Sequence, residues 1–326
     1  MITEGTVISA KAAGRRNVPG IWSEAQIAAW KEVVDAAHAK DCYIYCQLWQ
    51  IGRAALPEVH QELGTRFLSS SAVALDEGSV VHINRSAGES SIVPEEMTED
   101  DIMSTIQDFA TAAKNAIKAG FDGVEIHGAN GYLVDQFTQD TCNCRSDSWG
   151  GSIENRARFG IEVTKAVVEA VGADKTAIRL SPFSTFQGML MKDPYPQFNY
   201  LIKELKSLDL AYLHLVEPRV DGVFDTEAPS EYTLAPFIKL WDNQSPIVVA
   251  GGHTSERAAQ AVDEKYKEHN VLIAFGRYFI SNPDLVFRVK AAVDFTKYNR
   301  DTFYTPKSPV GYVDYPFGPE YLAKAA

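Results

Sequence analysis

No run of apolar residues in this 326-residue chain reaches the ~18 that a membrane-spanning helix needs. Residues 1–20 show no basic end followed by an apolar core, so no secretory leader is read there. No basic cluster stands against the net charge of -12, which argues against nucleic acid or an anionic membrane surface as partner. Cysteine is scarce. Cys42, Cys46, Cys142 and Cys144 form no C-x-x-C pair, and no His/Cys pair at zinc spacing follows the C-x-C at 142–144. No metal site is expected; the thiols read as buried or inert, and a reducing, cytoplasmic compartment fits. No G-x-G-x-x-G follows the first strand candidate, which argues against a Rossmann domain. Repeats, low-complexity tracts and linkers are missing as well.

What is present is an alternation. Short apolar runs rich in β-branched and aromatic residues occur at 1–8, 43–49, 123–129, 176–182, 211–217, 246–251 and 272–278, bounded by Gly, Pro or Asp. Helical patterns lie between them. In 98–119, Ile102, Ile106, Phe109, Ala113 and Ile117 form one stripe, Thr98 and Asp101 resemble a capping box, and Gly120 ends the run. In 154–171, Phe159, Val163, Val167 and Val171 share a face, and 23–40 and 254–269 also read as helices. Alternating strands and helices imply a parallel sheet. The fold class expected is α/β, a (β/α)₈ TIM barrel forming one domain over 1–326, with a polar insertion at 52–97 and a C-terminal extension at 296–326. Seven strands are countable where a barrel has eight, so the chain is expected to lack the first strand and helix.

A barrel carries its chemistry on the C-terminal ends of its strands. Glu4, Gln47, His127, Arg179, Glu217 and Arg277 lie in or just past strand candidates. The densest stretch is GVEIHGANGY at 123–132, which sets His127, Asn130 and Tyr132 directly after a strand. His127 and Asn130 can donate to one oxygen and so polarise a carbonyl, and Tyr132 can supply a proton. The plainer alternative is a satisfied loop histidine and a tyrosine packed at the rim. Arg179, inside an apolar strand, needs an anionic or electron-rich partner, either a ligand or a neighbouring Glu. Gln47 could meet backbone or the edge of a heterocycle. Gly251 and Gly252, with Gly276 and Arg277, follow the last two strands and suit a phosphate; tight turns with a surface arginine are the alternative.

These residues and their surroundings resemble the old yellow enzyme family of FMN-dependent ene-reductases, fungal members of ergot alkaloid pathways in particular. The most specific blocks are HGANGYLVDQF and the run from Asn143 to Phe159 (NCRSDSWGGSIENRARF). ITEG, PGIWSEAQ, QLW, RLSP, HLVEPR, GRYFISNPDL and RDTFY match in order. The resemblance implies an FMN over the barrel mouth, reduced by NADPH, whose N5 passes hydride to the β-carbon of an activated alkene. It implies that His127 and Asn130 hold the substrate carbonyl while Tyr132 protonates the α-carbon. Gly5, Gln47 and Arg179 would meet the flavin, and Gly251, Gly252, Gly276 and Arg277 its phosphate. Trp49, Phe186, Phe224, Phe303 and Tyr304 would line the substrate pocket. A small-molecule substrate is expected, with no nucleic-acid or membrane partner, for a monomer or homodimer. A flavin-independent isomerase or cyclase using the same pocket is the competing expectation.

Overall fold

The structure is a computed structural model that describes residues 1–75, 92–218, 220–221, 224–225 and 231–325. The chain divides into two compact units, Met1–Ile247 and Val248–Ala326.

The first unit is built on five parallel strands: β1 (Thr6–Val7), β2 (Tyr45–Trp49), β3 (Gly123–Gly128), β4 (Thr176–Leu180) and β5 (Tyr212–Val216). Each pairs with the next in chain order, the register setting Gln47 opposite Glu125, His127 opposite Arg179 and Arg179 opposite His214. Strand side chains alternate faces. One face of this sheet therefore carries Cys46, Leu48, Val124, Ile126, Ile178, Leu180, Leu213 and Leu215, all buried. The helices α1 (Glu24–His38), α2 (Glu99–Lys118), α4 (Ile153–Val171) and α5 (Tyr195–Lys206) alternate with these strands, and a short α3 (Leu133–Thr138) follows β3 directly. The opposite face carries Tyr45, Gln47, Trp49, Glu125, His127, Arg179, Tyr212 and His214. Apolar residues on one face and hydrogen-bonding groups on the other are what a site inside a helix-wrapped sheet requires.

The helix boundaries follow their caps. Ser23 accepts from the backbone N–H of Gln26, whose side chain returns to the Ser23 N–H, and α1 begins there. Thr98 and Asp101 make the same reciprocal pair before α2, where Ile102, Ile106, Phe109 and Ala113 are buried and Ile117 is half-buried. Phe159, Val163 and Val167 are the buried stripe of α4, with Phe159 stacked on Phe137 of α3 at 4.2 Å.

Several boundaries differ from expectation. The run 1–8 contributes a two-residue strand and two isolated bridges, Ile2 to Tyr45 and Val7 to Gly20, so Glu4 precedes β1 and is exposed. The insertion 52–97 is not uniformly polar. Gly52, Arg53, Ala54, Ala55 and Leu56 are buried, a helix spans Pro57–Leu63, and Leu68–Ser69 pairs in parallel with Glu95–Glu96. Residues 76–91 of that insertion lie outside the described residues. Cys144 is exposed, unlike the buried Cys46 and Cys142.

The second unit holds nearly all of β6 (Ile247–Ala250), together with β7 (Val271–Ala274) and the helices Ser255–Gln260, Arg277–Ser281, Leu285–Ala291 and Pro319–Ala325. The expected helix 254–269 starts at its Thr254 cap but loosens into a wider π turn at Ala261–Lys265 and ends there. The expected strand 272–278 stops early, because Gly276 (φ -102°, ψ -80°) leaves the extended conformation and opens the next helix. Asp284 ties this unit together, accepting from Arg288 Nε at 2.8 Å and from the Gly318 backbone at 2.9 Å.

Candidate active site

β3 ends in a turn that places three side chains at its mouth. Asn130 and Gly131 both take left-handed backbone (φ 57° and 71°), a conformation asparagine tolerates and glycine prefers. The turn is held from outside. The Asn130 N–H donates to Ser181 Oγ at 2.7 Å, the Gly131 N–H to Asp135 Oδ2 at 2.9 Å, and Gln187 Nε2 to the Asn130 carbonyl at 2.8 Å. Asp135 is fully buried, and burial pushes its carboxyl up to about 7 against the hydrogen bonds from Gln139 and Gly131.

His127 is buried, and burial together with the nearby Arg179 charge lowers its pKa to about 3. At neutral pH it is therefore an uncharged imidazole. Its Nδ1 accepts from the Ala129 N–H at 3.4 Å, which leaves the proton on Nε2 as a donor. The Tyr132 ring stands edge-on to His127 (centroids 4.9 Å) and edge-on to Trp49 (5.0 Å). Asn130 is half-buried on the same turn. The expected trio thus spans the last residues of β3 and the turn that follows, with two of its members in ring contact.

Arg179 lies across the register from His127. It is half-buried, its Nε is closed off from water with no hydrogen-bond partner among the described residues, and burial lowers its pKa. The alternative of an ion pair with a glutamate is not what the structure shows: among the described residues no carboxylate comes within ion-pair distance, and Glu125 acts on it only as a nearby charge. Gln47 does have a partner, Glu125, to whose Oε1 its Nε2 donates at 2.7 Å. Gly5 packs against Trp49: a Cβ there would lie 3.0 Å from the indole. Phe186 is half-buried on a tight turn, Phe186–Gly188. Phe224 falls in a two-residue strand whose side chains lie outside the described residues.

The remaining expected residues belong to the second unit. Gly251 is buried, Gly252 has φ 59°, and Gly276 has open space where a Cβ would stand. Arg277 donates to the Tyr298 hydroxyl at 2.9 Å and lies over its ring, which in turn packs on Phe303 at 5.4 Å; Tyr304 is exposed.

One group escaped the sequence reading. Glu125, fully buried, also accepts from His214 Nδ1 at 2.8 Å and from the Tyr212 hydroxyl at 3.0 Å. Burial alone would raise its carboxyl, but His214, Arg179 and Gln47 outweigh that and hold it at about 2. The signal was available in the alternation: Glu125 shares a face with His127 in GVEIHG, as Tyr212 does with His214 in YLHLV.

A half-buried arginine with an unpartnered Nε and a neutral imidazole supply donors, and a carboxamide held at its NH₂ end adds an acceptor. That mixed set fits the polar edge of a flavin ring, which carries both acceptors and an N–H donor and which Gln47 and Arg179 would hold.

Comparisons with known proteins show the family. Residues 1–294 match the NADH:flavin oxidoreductase / NADH oxidase family. The chain is 52% identical over 322 residues to "Chanoclavine-I aldehyde reductase fgaOx3" of Penicillium roqueforti, covering 98% of this chain and 84% of that one. It is 49% identical over 332 residues to "Probable inactive reductase easA" of Epichloe festucae var. lolii, covering 99% and 83%. Among solved structures, Old Yellow Enzyme from Pichia sp. aligns with TM-score 0.85 at 38% identity, over 97% of this chain and 80% of that one. The chain belongs to the NADH:flavin oxidoreductase / NADH oxidase family and is an old yellow enzyme-like, FMN-dependent oxidoreductase of the α/β-barrel class.

Proposed function

We propose that this chain reduces activated alkenes, α,β-unsaturated carbonyl compounds, with NADPH as reductant, in fungal secondary metabolism. The bound FMN would supply the hydride that reaches the β-carbon. His127 donates its Nε2–H to the substrate carbonyl oxygen, and Asn130 donates its amide N–H to the same oxygen. Both are neutral donors, so they stabilise negative charge growing on that oxygen without a full cation that would bind the ground state equally well. Tyr132 gives its proton to the α-carbon. Gln47 and Arg179 hold the flavin ring. In the first unit Trp49 and Phe186 shape the substrate pocket; in the second unit Gly251, Gly252, Gly276 and Arg277 form a phosphate-binding set.

The observation that carries this reading is the His127 ring, its Nδ1 facing the Ala129 N–H, standing edge-on to the Tyr132 phenol: a neutral donor and a proton source side by side at the end of β3. The test begins with the absorption spectrum of the purified protein, which should show bound flavin that bleaches on adding NADPH without oxygen. Tyr132→Phe should leave that bleaching rate unchanged and slow reduction of an enone by 10²-fold or more, about 3 kcal/mol of transition-state stabilisation. Unchanged enone turnover in Tyr132→Phe would remove the tyrosine from the mechanism.

One finding favours a second reading. A relative at 49% identity is named a probable inactive reductase, so close kinship does not by itself carry redox turnover. A flavin-independent isomerase or cyclase would use His127, Asn130 and Tyr132 for acid–base chemistry on an unsaturated carbonyl. It would turn over with no nicotinamide present and be indifferent to flavin removal.

A further inference from the structure

We propose that Glu125 is a positioning residue: a buried carboxylate that fixes the orientation of the Gln47 amide and sets the charge seen by the flavin ring. The inference rests on the flavin-binding reading of Gln47 and Arg179.

A carboxamide can be turned end for end, and the atoms that face it decide which way it points. An ionised carboxylate only accepts. Glu125 Oε1 lies 2.7 Å from one end of Gln47, so that end must be the NH₂ group. The Gln47 carbonyl Oε1 is then left to meet a ligand as an acceptor, and the ligand atom opposite it must be a donor, such as the ring N–H of an isoalloxazine. The other oxygen of Glu125 is saturated by Tyr212 at 3.0 Å and His214 at 2.8 Å, both of which donate. Because an ionised carboxylate only accepts, His214 must carry a proton on Nδ1, and burial lowers its pKa against the pull of Glu125. Its Nε2 is buried without a partner among the described residues. The tautomer is therefore locked as well, because moving the proton to Nε2 would bury a donor with nothing to bond. Three donors converging on two oxygens leave Glu125 no freedom, and that rigidity passes to Gln47.

The charge acts separately. Glu125 sits near Arg179 without pairing to it, so its negative charge partly cancels the arginine's field. The cation favours a reduced flavin carrying negative charge, and Glu125 opposes that preference. Removing the charge makes the bound flavin easier to reduce.

Two substitutions separate the roles. Glu125→Gln removes the charge; with its carbonyl toward Tyr212 and His214, its own NH₂ faces Gln47 and turns that amide over. FMN affinity should fall about tenfold, and the equilibrium constant for reducing the bound flavin should rise about tenfold, ~30 mV for a two-electron couple. Glu125→Asp keeps the charge but is too short to reach Gln47. It should lose affinity while holding the wild-type potential. A readout without flavin comes from the wild-type protein labelled with ¹⁵N-glutamine, using Gln47→Ala to identify the signal: the Gln47 NH₂ protons should exchange slowly with water from pH 6 to 8. Slow exchange supports the proposal even if neither variant folds, and rapid exchange overturns it. A folded Glu125→Gln protein with wild-type FMN affinity and potential overturns it too. A protein that never binds FMN but shows the slow amide would instead defeat the flavin-binding reading.

Discussion

Arg179 shows how a single residue can be read for function against stability. Desolvating an arginine costs free energy that an ion pair or hydrogen bonds must return. Here the Nε has no partner among the described residues, and the nearest compensating group, Glu125, is already saturated by Gln47, Tyr212 and His214. A side chain kept in that condition is expected to be held for a ligand and not for the fold. Arg179→Met should therefore leave the ligand-free protein as stable as wild type, within ~1 kcal/mol by urea denaturation. The same substitution should weaken FMN binding by two orders of magnitude or more, since ~3 kcal/mol attaches to a charged hydrogen bond. A ligand-free Arg179→Met protein destabilised by several kcal/mol would mean that the arginine is part of the structural framework after all.

At the scale of an element, the turn from Gly128 to Asp135 joins fold and site. Gly131 cannot be replaced: besides its positive φ, a Cβ would lie 2.7 Å from the Gln187 Cβ and 3.1 Å from the Phe186 carbonyl oxygen. Gly131→Ala should cost ~1–3 kcal/mol of stability and displace Asn130 and Tyr132 together, so that enone KM rises and kcat falls in one variant while flavin content is kept. A variant with wild-type kinetics would show that the turn is not what positions the pair. This turn also marks what the sequence could and could not disclose. The strand, the two left-handed residues and the trio His127, Asn130 and Tyr132 are local, because strand patterning and turn chemistry are written within a few residues. So are the caps at Ser23 and Thr98. The partners that hold the turn are not. Asp135, Ser181 and Gln187 reach it through folding, as Glu125 reaches Tyr212 and His214 across two strands, and spacing along the chain says nothing about such meetings. Only the two-residue alternation in GVEIHG and YLHLV hinted that these polar groups share a face. The same limit explains the insertion at 52–97: its polar composition hid Arg53 to Leu56, which are buried by contacts distant in sequence.

Over the whole molecule, the buried titrating groups set how stability follows pH, and two of them pull in opposite directions. His127 has its pKa lowered from 6.5 to about 3 in the folded protein, so the unfolded chain binds more protons between those values and stability is lost as pH falls below 6.5. His60 and His214, also lowered by burial, act in the same sense. Asp135 is raised from 3.8 to about 7, so here the folded state binds the extra proton. Its contribution is fully present below 3.8 and is lost as pH rises toward 7. Glu125, lowered from 4.5 to about 2, withdraws its stabilisation only as pH falls below 4.5. Between pH 4.5 and 6.5 the Asp135 and His127 slopes therefore largely cancel. Asp135→Asn removes one side of that balance. Its baseline should drop, because an amide turns its NH₂ group toward one of Gly131 and Gln139, each of which donates to an Asp135 oxygen. Its stability should then climb more steeply than wild type from pH 4.5 to pH 7.5, by ~3 kcal/mol across the interval, given about 1.4 kcal/mol per pH unit per proton. His127→Asn should tilt the other way, losing stability relative to wild type as pH rises through the same interval. Urea midpoints measured for the three proteins at pH 4.5, 6 and 7.5 decide the matter: parallel curves would mean that neither buried group titrates where its surroundings put it.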